Sequence, residues 1–402
     1  MTIKPPVEDF ATDWDHTDPQ WVKDPYPIWA DLRERCPVAR TERYGGGWFP
    51  TTHEMVSEVA NDTEHFTSRL VVVTNNKNPI GAPPAPIGVA PPITSDPPFH
   101  QIARRLILPA LSPGAVNALE PQIRELCATH LDQLVGRDTF DAGAEYAQFI
   151  SPGVIARMLG FPAKDEDLFR EFVHLVLDLI DLPVEERMVM FGPMTEYFTA
   201  QIEDHLANPR DDFTSYLLNV EIGGSKLSPE HVRGTMVLTL VAGIDTTWSA
   251  IGASLWHLAH HPEDLERLVN EPELMGLAVE EFLRFYAPVT MARMVKEDFE
   301  FHGCPMKKDD WLLLGFPAAN RDPAAFEDAD KFIIDRAVNR HAAFGLGIHR
   351  CAGSNLARLE LRIAIEEFIK RFPRFELSDP DAVTWAQGQV RGPRRLPVRI
   401  PA

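Results

Sequence analysis

The chain has 402 residues, with 39 Lys and Arg against 59 Asp and Glu, which leaves a formal charge of −20 at pH 7. That acidic balance excludes a basic nucleic-acid footprint. A composition of 45% hydrophobic and 24% charged residues excludes global disorder.

Four cysteines, Cys36, Cys127, Cys304 and Cys351, stand far apart without a CxxC pair. They argue against a disulfide framework or structural zinc, and for a reducing compartment. The first nine residues lack the apolar run of a signal peptide or anchor, so the expected location is cytoplasmic.

Taken in chain order, Asp24–Arg35 has helical spacing, and Tyr44–Thr52 carries the glycines and β-formers of a hairpin. Between Pro79 and Pro92 six of fourteen residues are proline and most of the rest are apolar, which predicts an irregular loop packed over a cavity. From Gln101 to about Ala259 the pattern is mostly helical, with breaks expected at Pro109, Pro113, Pro152, Pro162, Pro183 and Pro193.

Gly234–Ala259 holds one charge, Asp245, and is long enough to span a bilayer. Asp245, Thr246, Thr247 and Ser249 cluster near its middle, and no aromatic and basic flanks frame it, so it is read as a central helix buried on all sides. Glu263–Tyr286 is also helical. Met294–Phe301 and Trp311–Leu314 are predicted to form a hairpin around His302-Gly303-Cys304-Pro305, with coil to Ala343 and a long helix over Ser354–Phe372. The expected whole is one domain over 1–402, mainly α with a small β-rich region. The β part falls in 40–75, 290–316 and C-terminal strands, and the α part in 100–288 and 354–372.

The strongest chemical signal is Phe344-Gly345-Leu346-Gly347-Ile348-His349-Arg350-Cys351-Ala352-Gly353, just before that last helix. Two glycines allow a tight turn against something flat, and a cysteine at a helix start is favoured as thiolate. A lone thiolate is a poor zinc site but a good axial ligand for haem iron. Glu281 and Arg284 share a helix face at i,i+3, which alone is worth only about 0.2–0.5 kcal/mol.

The Cys loop meets every fixed position of F-G-x-G-x-H-x-C-x-G, and at these residues the chain resembles the cytochrome P-450 superfamily of haem-thiolate monooxygenases. The resemblance runs from Asp24-Pro25-Tyr26-Pro27 to Arg391-Gly392-Pro393. It implies the P-450 fold, with haem b between the central helix and the Cys-loop helix and Cys351 as the iron ligand. Asp96-Pro97-Pro98-Phe99-His100 to Arg104 resembles the family's D-P-P-x-H-x-x-x-R element, which implies that His100, Arg104, Arg293 and His349 hold the haem propionates. Phe344 and Gly353 line the cofactor by the same comparison. Glu281 and Arg284, with Ala318-Ala319-Asn320-Arg321-Asp322-Pro323, match the pair that anchors the coil beneath the haem; where the family completes the network with arginine, Lys331 is the expected replacement.

Ala242-Gly243-Ile244-Asp245-Thr246-Thr247 resembles A-G-x-[DE]-T-T. This implies that Thr246 holds a water near the reacting oxygen, that Asp245 relays protons, and that Ala242 leaves room for O2 in a locally distorted helix. The plain alternative is a threonine bonded back to its own helix beside a solvated aspartate.

The implied activity is hydroxylation, epoxidation or dealkylation of a small, largely apolar substrate, with a peroxide-driven haem enzyme or a haem-based gas sensor as alternatives. The expected pocket draws on the Pro79–Pro92 loop, the Phe172–Phe198 helices, Leu238, Val241, Val289 and Thr290. No ferredoxin-type cysteine set or Gly-rich dinucleotide motif is present, so electrons are expected from a separate ferredoxin and an NAD(P)H-dependent ferredoxin reductase. Arg105, Arg350, Arg358 and Arg362 would give that donor a positive patch, unless neighbouring carboxylates such as Glu360 and Glu366 claim them.

Overall fold

The computed structural model describes residues 5–75, 77, 88–177, 182, 184–222, 224–386 and 388–401. Helices dominate, and their apolar faces meet in one large core. Through its centre runs the helix Pro229–His260, started by Pro229 and capped by Ser228, whose hydroxyl accepts from the His231 N–H at 3.2 Å. Val232, Met236, Leu240, Ile244, Ile251, Leu255 and Leu258 are all buried on it. It packs against Gln148–Leu159 and the Cys-loop helix Ser354–Arg371, so the length and apolarity that would also suit a bilayer are used in a protein core. At Gly243 an added Cβ would meet Ile155 Cδ1 at 2.4 Å, so glycine sets the close approach of the first two helices.

The β-rich part is a five-stranded sheet in the order Val38–Thr41, Gly47–Pro50, Trp311–Leu314, Met291–Val295, Phe66–Thr67. Side-chain alternation along Met291–Val295 decides what faces the helices. Ala292 and Met294 enter one core with Trp311 and Trp14, while Met291 and Val295 lie on the other face, which Arg293 shares. A smaller sheet joins Glu376–Leu377, Pro397–Arg399 and Thr139–Asp141.

Several expectations need correction. The first hairpin opens at Val38, and Arg43–Gly45 forms its turn. Pro152 and Pro193 lie inside helices, Gln148–Leu159 and Val184–Ala207, because each removes one hydrogen bond while the apolar face persists. Pro183 and residues 79–87 of the expected loop lie outside the described residues. The expected Glu263–Tyr286 helix is broken at Glu271-Pro272 into Pro262–Asn270 and Met275–Phe285. Around His302-Gly303 the paired strands are the short Phe299–Phe301 and Cys304–Met306, whereas Trp311–Leu314 pairs with Met291–Val295. The central helix is α-helical from end to end, without the expected distortion at Ala242–Thr247.

Candidate active site

One apolar cavity of about 260 Å³ lies between the central helix and the Cys loop. The loop is shaped by hydrogen bonds from Cys351 N–H to the Phe344 carbonyl (2.7 Å) and from Gly345 N–H to the Ala342 carbonyl (2.8 Å). Gly347 has φ +67°, and a Cβ there would come within 2.2 Å of the Ala60 carbonyl oxygen. That glycine is therefore required by the neighbouring helix His53–Asn61 as well as by the turn. Gly353 caps Ser354–Arg371, and Phe344, Cys351 and Gly353 all line the cavity.

The helix start does not make Cys351 a ready thiolate. Burial pushes the thiol up, against the Gly353 N–H and the charges of Arg104, Arg350 and Arg358, which pull it down. A cation bound at sulfur would favour the anion.

Arg104, Arg293 and His349 line one wall of the cavity, and the His100 ring lies 4.2 Å from that of His349. His100 is buried, and neither ring nitrogen has a hydrogen-bond partner among the described residues. Burial, reinforced by Arg104 and Arg293, pushes it down to about 4, and burial pushes Arg293 down to about 10. Arg104 donates to the Arg350 carbonyl at 2.5 Å and His349 meets the Ser68 hydroxyl at 3.0 Å. Asp96 is the acid nearest to His100 and Arg293, and its oxygens are taken up by the Thr67 hydroxyl and the Ser68 N–H. Donors crowded together in this way fit an anionic group placed in their midst.

On the opposite side, Ala242, Gly243 and Thr246 line the cavity. Thr246 Oγ1 donates to the Ala242 carbonyl at 2.7 Å, the back-bonded arrangement that the plain reading anticipates. Asp245 is neither solvated nor in the cavity wall. It is buried, with Oδ1 2.7 Å from the Arg394 guanidinium, which also donates to Ser249 Oγ and covers the Trp248 ring at 4.3 Å. Nothing near Asp245 in sequence announced Arg394, 149 positions later.

Of the expected pocket, Leu238 and Val289 line the cavity, whereas Val241 and Thr290 are buried outside it, with Thr290 Oγ1 bonded to the Gln389 carbonyl at 3.3 Å. Phe172 and Phe198 pack into an aromatic cluster with Phe161 and Tyr197, and no described residue of 172–198 reaches the wall. Ile155, Met158, Leu111 and Phe316 line it instead.

Beneath the Cys loop, Arg284 donates two bonds of 2.8 Å to the Glu281 carboxylate, both side chains being fully buried. The same guanidinium donates to the carbonyls of Asn320, Ala329 and Lys331. Lys331 does not complete this network: its ammonium is exposed and pairs with Asp328 at 3.0 Å. Arg336 does, reaching both Glu281 oxygens at 3.1–3.2 Å and the carbonyls of Glu327, Asp328 and Lys331. Asn320 joins network to loop, its Oδ1 accepting from the Ala342 N–H at 2.7 Å.

The expected positive patch is mostly neutralised. Arg358 is bound by Glu280 at 2.5 and 2.9 Å, and Arg362 by Glu120 and Glu366, leaving Arg105 and Arg350 exposed and outside any ion pair among the described residues. Glu360 is instead buried at the cavity wall, and burial pushes its carboxyl up to about 8. Because the folded value exceeds the ordinary 4.5, the stability this group contributes is complete below 4.5 and is lost as pH rises through about 8. Glu360→Gln, with no proton to lose, should flatten the fall of Tm between about pH 5 and pH 8. Parallel pH slopes for the variant and the parent would contradict this.

A mainly helical fold enclosing a lone cysteine, two arginines grouped with two imidazoles, and an apolar cavity defines a haem-thiolate protein. Comparison with known proteins agrees: the cytochrome P450 family model matches residues 158–384. The polyketide biosynthesis cytochrome P450 PksS of Bacillus subtilis is 34% identical over 77% of each chain. Its solved structure superposes with a TM-score of 0.85 at 29% identity, over 97% of this chain and 100% of that one. The myxobacterial CYP267B1 complex with myristic acid gives 0.86 at 31% identity, over 96% and 98%. The chain belongs to the cytochrome P450 family and is a P450 monooxygenase. Members of this family carry haem b with an axial cysteine thiolate.

Proposed function

We propose that this monooxygenase works in the cytoplasm on a small, largely apolar organic substrate, with electrons from a separate ferredoxin and its NAD(P)H-dependent reductase. The observation that carries the reading is the junction, in one cavity, of Cys351, the cationic wall and Thr246 with an apolar lining. Haem b, when bound, supplies the iron at which O2 is activated for transfer of one oxygen atom.

Cys351 Sγ would hold that iron, and Arg104, Arg293, His100 and His349 would hold the carboxylates of the porphyrin. Leu238, Ile155, Met158 and Val289 bind substrate by excluding water, a role consistent with the myristic acid bound by one relative and the acyl carrier protein bearing hexadecenoic acid bound by P450BioI. Thr246 Oγ1 exchanges its bond to the Ala242 carbonyl for one to a water in the cavity. Asp245 passes a proton inward from the Arg394 side, where the guanidinium reaches partial exposure. The donor docks beside Arg105 and Arg350.

Soret-band titration of the ferric protein with apolar and polar ligands tests the substrate class: apolar members shift the band, and a response confined to polar members refutes it. Thr246→Ala should bind the same ligands comparably while diverting NAD(P)H electrons to peroxide. Asp245→Asn should slow turnover and raise the solvent isotope effect. A role limited to anchoring the Arg394 segment would lower Tm in the second variant and leave its isotope effect unchanged.

A further inference from the structure

Where the central helix ends, three potential metal ligands come together away from the cavity. His257 lies in its last turn, His261 caps it, and Asp264 follows in the first turn of Pro262–Asn270. One ligand atom from each lies within 4.8 Å of the others. The backbone fixes the arrangement: His261 N–H donates to the His257 carbonyl at 2.9 Å, and Asp264 N–H to the His261 carbonyl at 3.1 Å.

Each imidazole has one nitrogen held by a neighbour. His257 Nδ1 meets the Tyr286 hydroxyl at 2.7 Å, and His261 Nδ1 meets the Glu263 carboxylate at 3.1 Å. Outer contacts of this kind orient metal-binding histidines and leave the second nitrogen for the ion. His257 Nε2 lies 2.8 Å from Asp264 Oδ2, so an ion would take the place of one shared proton. The helix C-terminus adds partial negative charge.

We propose that His257, His261 and Asp264 form a binding site for a divalent transition-metal ion, zinc being the best fit. Two imidazoles and one carboxylate, with a water as fourth ligand, make a tetrahedral set of the type zinc takes. The ion would fasten the end of the central helix to Pro262–Asn270 and, through His257 and Tyr286, to Met275–Phe285, the helix that carries Glu281 and Arg284.

The test uses haem-loaded protein, stripped with chelator and titrated calorimetrically with zinc chloride, so that Cys351 is occupied and does not compete. One ion per chain is expected, with a rise in Tm and a zinc-edge absorption spectrum showing nitrogen and oxygen neighbours without sulfur. His261→Gln and Asp264→Asn, both at partly exposed positions, should each weaken binding at least about tenfold while leaving the reduced CO spectrum unchanged. Absence of saturable binding in the parent, sulfur among the ligands, or tight binding kept by either variant would overturn the site.

Discussion

Cys351→His should yield a protein whose reduced CO complex no longer shows the thiolate-type Soret band and has lost monooxygenase turnover. Cys351 is the only cysteine at the cavity; Cys127 is buried in the helical core, and Cys36 and Cys304 belong to the β-rich part. Imidazole is a weaker electron donor to iron than thiolate, so the spectrum changes even where haem is retained. Persistence of the thiolate band in the variant would place the ligand elsewhere.

Arg336→Ala should destabilise the holoprotein by about 3–5 kcal/mol, the range for removing one partner from a buried charge network. Glu281 is fully buried and faces two guanidiniums, so losing one leaves its charge partly uncompensated and takes a donor from three backbone carbonyls, of which Asp328 keeps the Lys331 N–H and Lys331 keeps Arg284. Lys331→Ala, at an exposed ion pair, should stay within about 0.5 kcal/mol. Urea unfolding of the two variants side by side decides between them, and the reverse order would restore Lys331 to the role the sequence suggested.

That reversal shows where sequence reading succeeded and where it stopped. The Cys loop was legible because its glycines, histidine and cysteine act within ten consecutive residues and their spacing carries the geometry. Glu281 and Arg284 were legible for the same reason. Arg336 was not, because it lies in coil, where no periodicity reports orientation; lysine at 331 merely stood nearer the expected place. Its one signal was position, an arginine five residues beyond Lys331 in the stretch between the Glu-Arg pair and the Cys loop.

Long-range partners were equally hidden. Arg394 reaches Asp245 only because the C-terminal segment lies against the central helix, an outcome set by packing rather than by local pattern. The strand Thr139–Asp141 escaped notice because three residues in a helical region show no alternation until Pro397–Arg399 arrives beside them. Long helices, by contrast, declare themselves through many repeats, and the central helix was recognised as buried from its uniform apolarity.

The coil between Asn320 and Arg336 is gripped by its main chain. Arg284 and Arg336 together hold the carbonyls of Asn320, Glu327, Asp328, Ala329 and Lys331, groups every amino acid possesses. What the gripped carbonyls require is therefore a count of residues before a choice of letters: an exchanged side chain at Glu327 leaves the grip intact, whereas one inserted or deleted residue moves each later carbonyl out of reach; Asp328, at φ +49°, is the position where the letter also matters. The information that keeps the floor of the site in place is metrical.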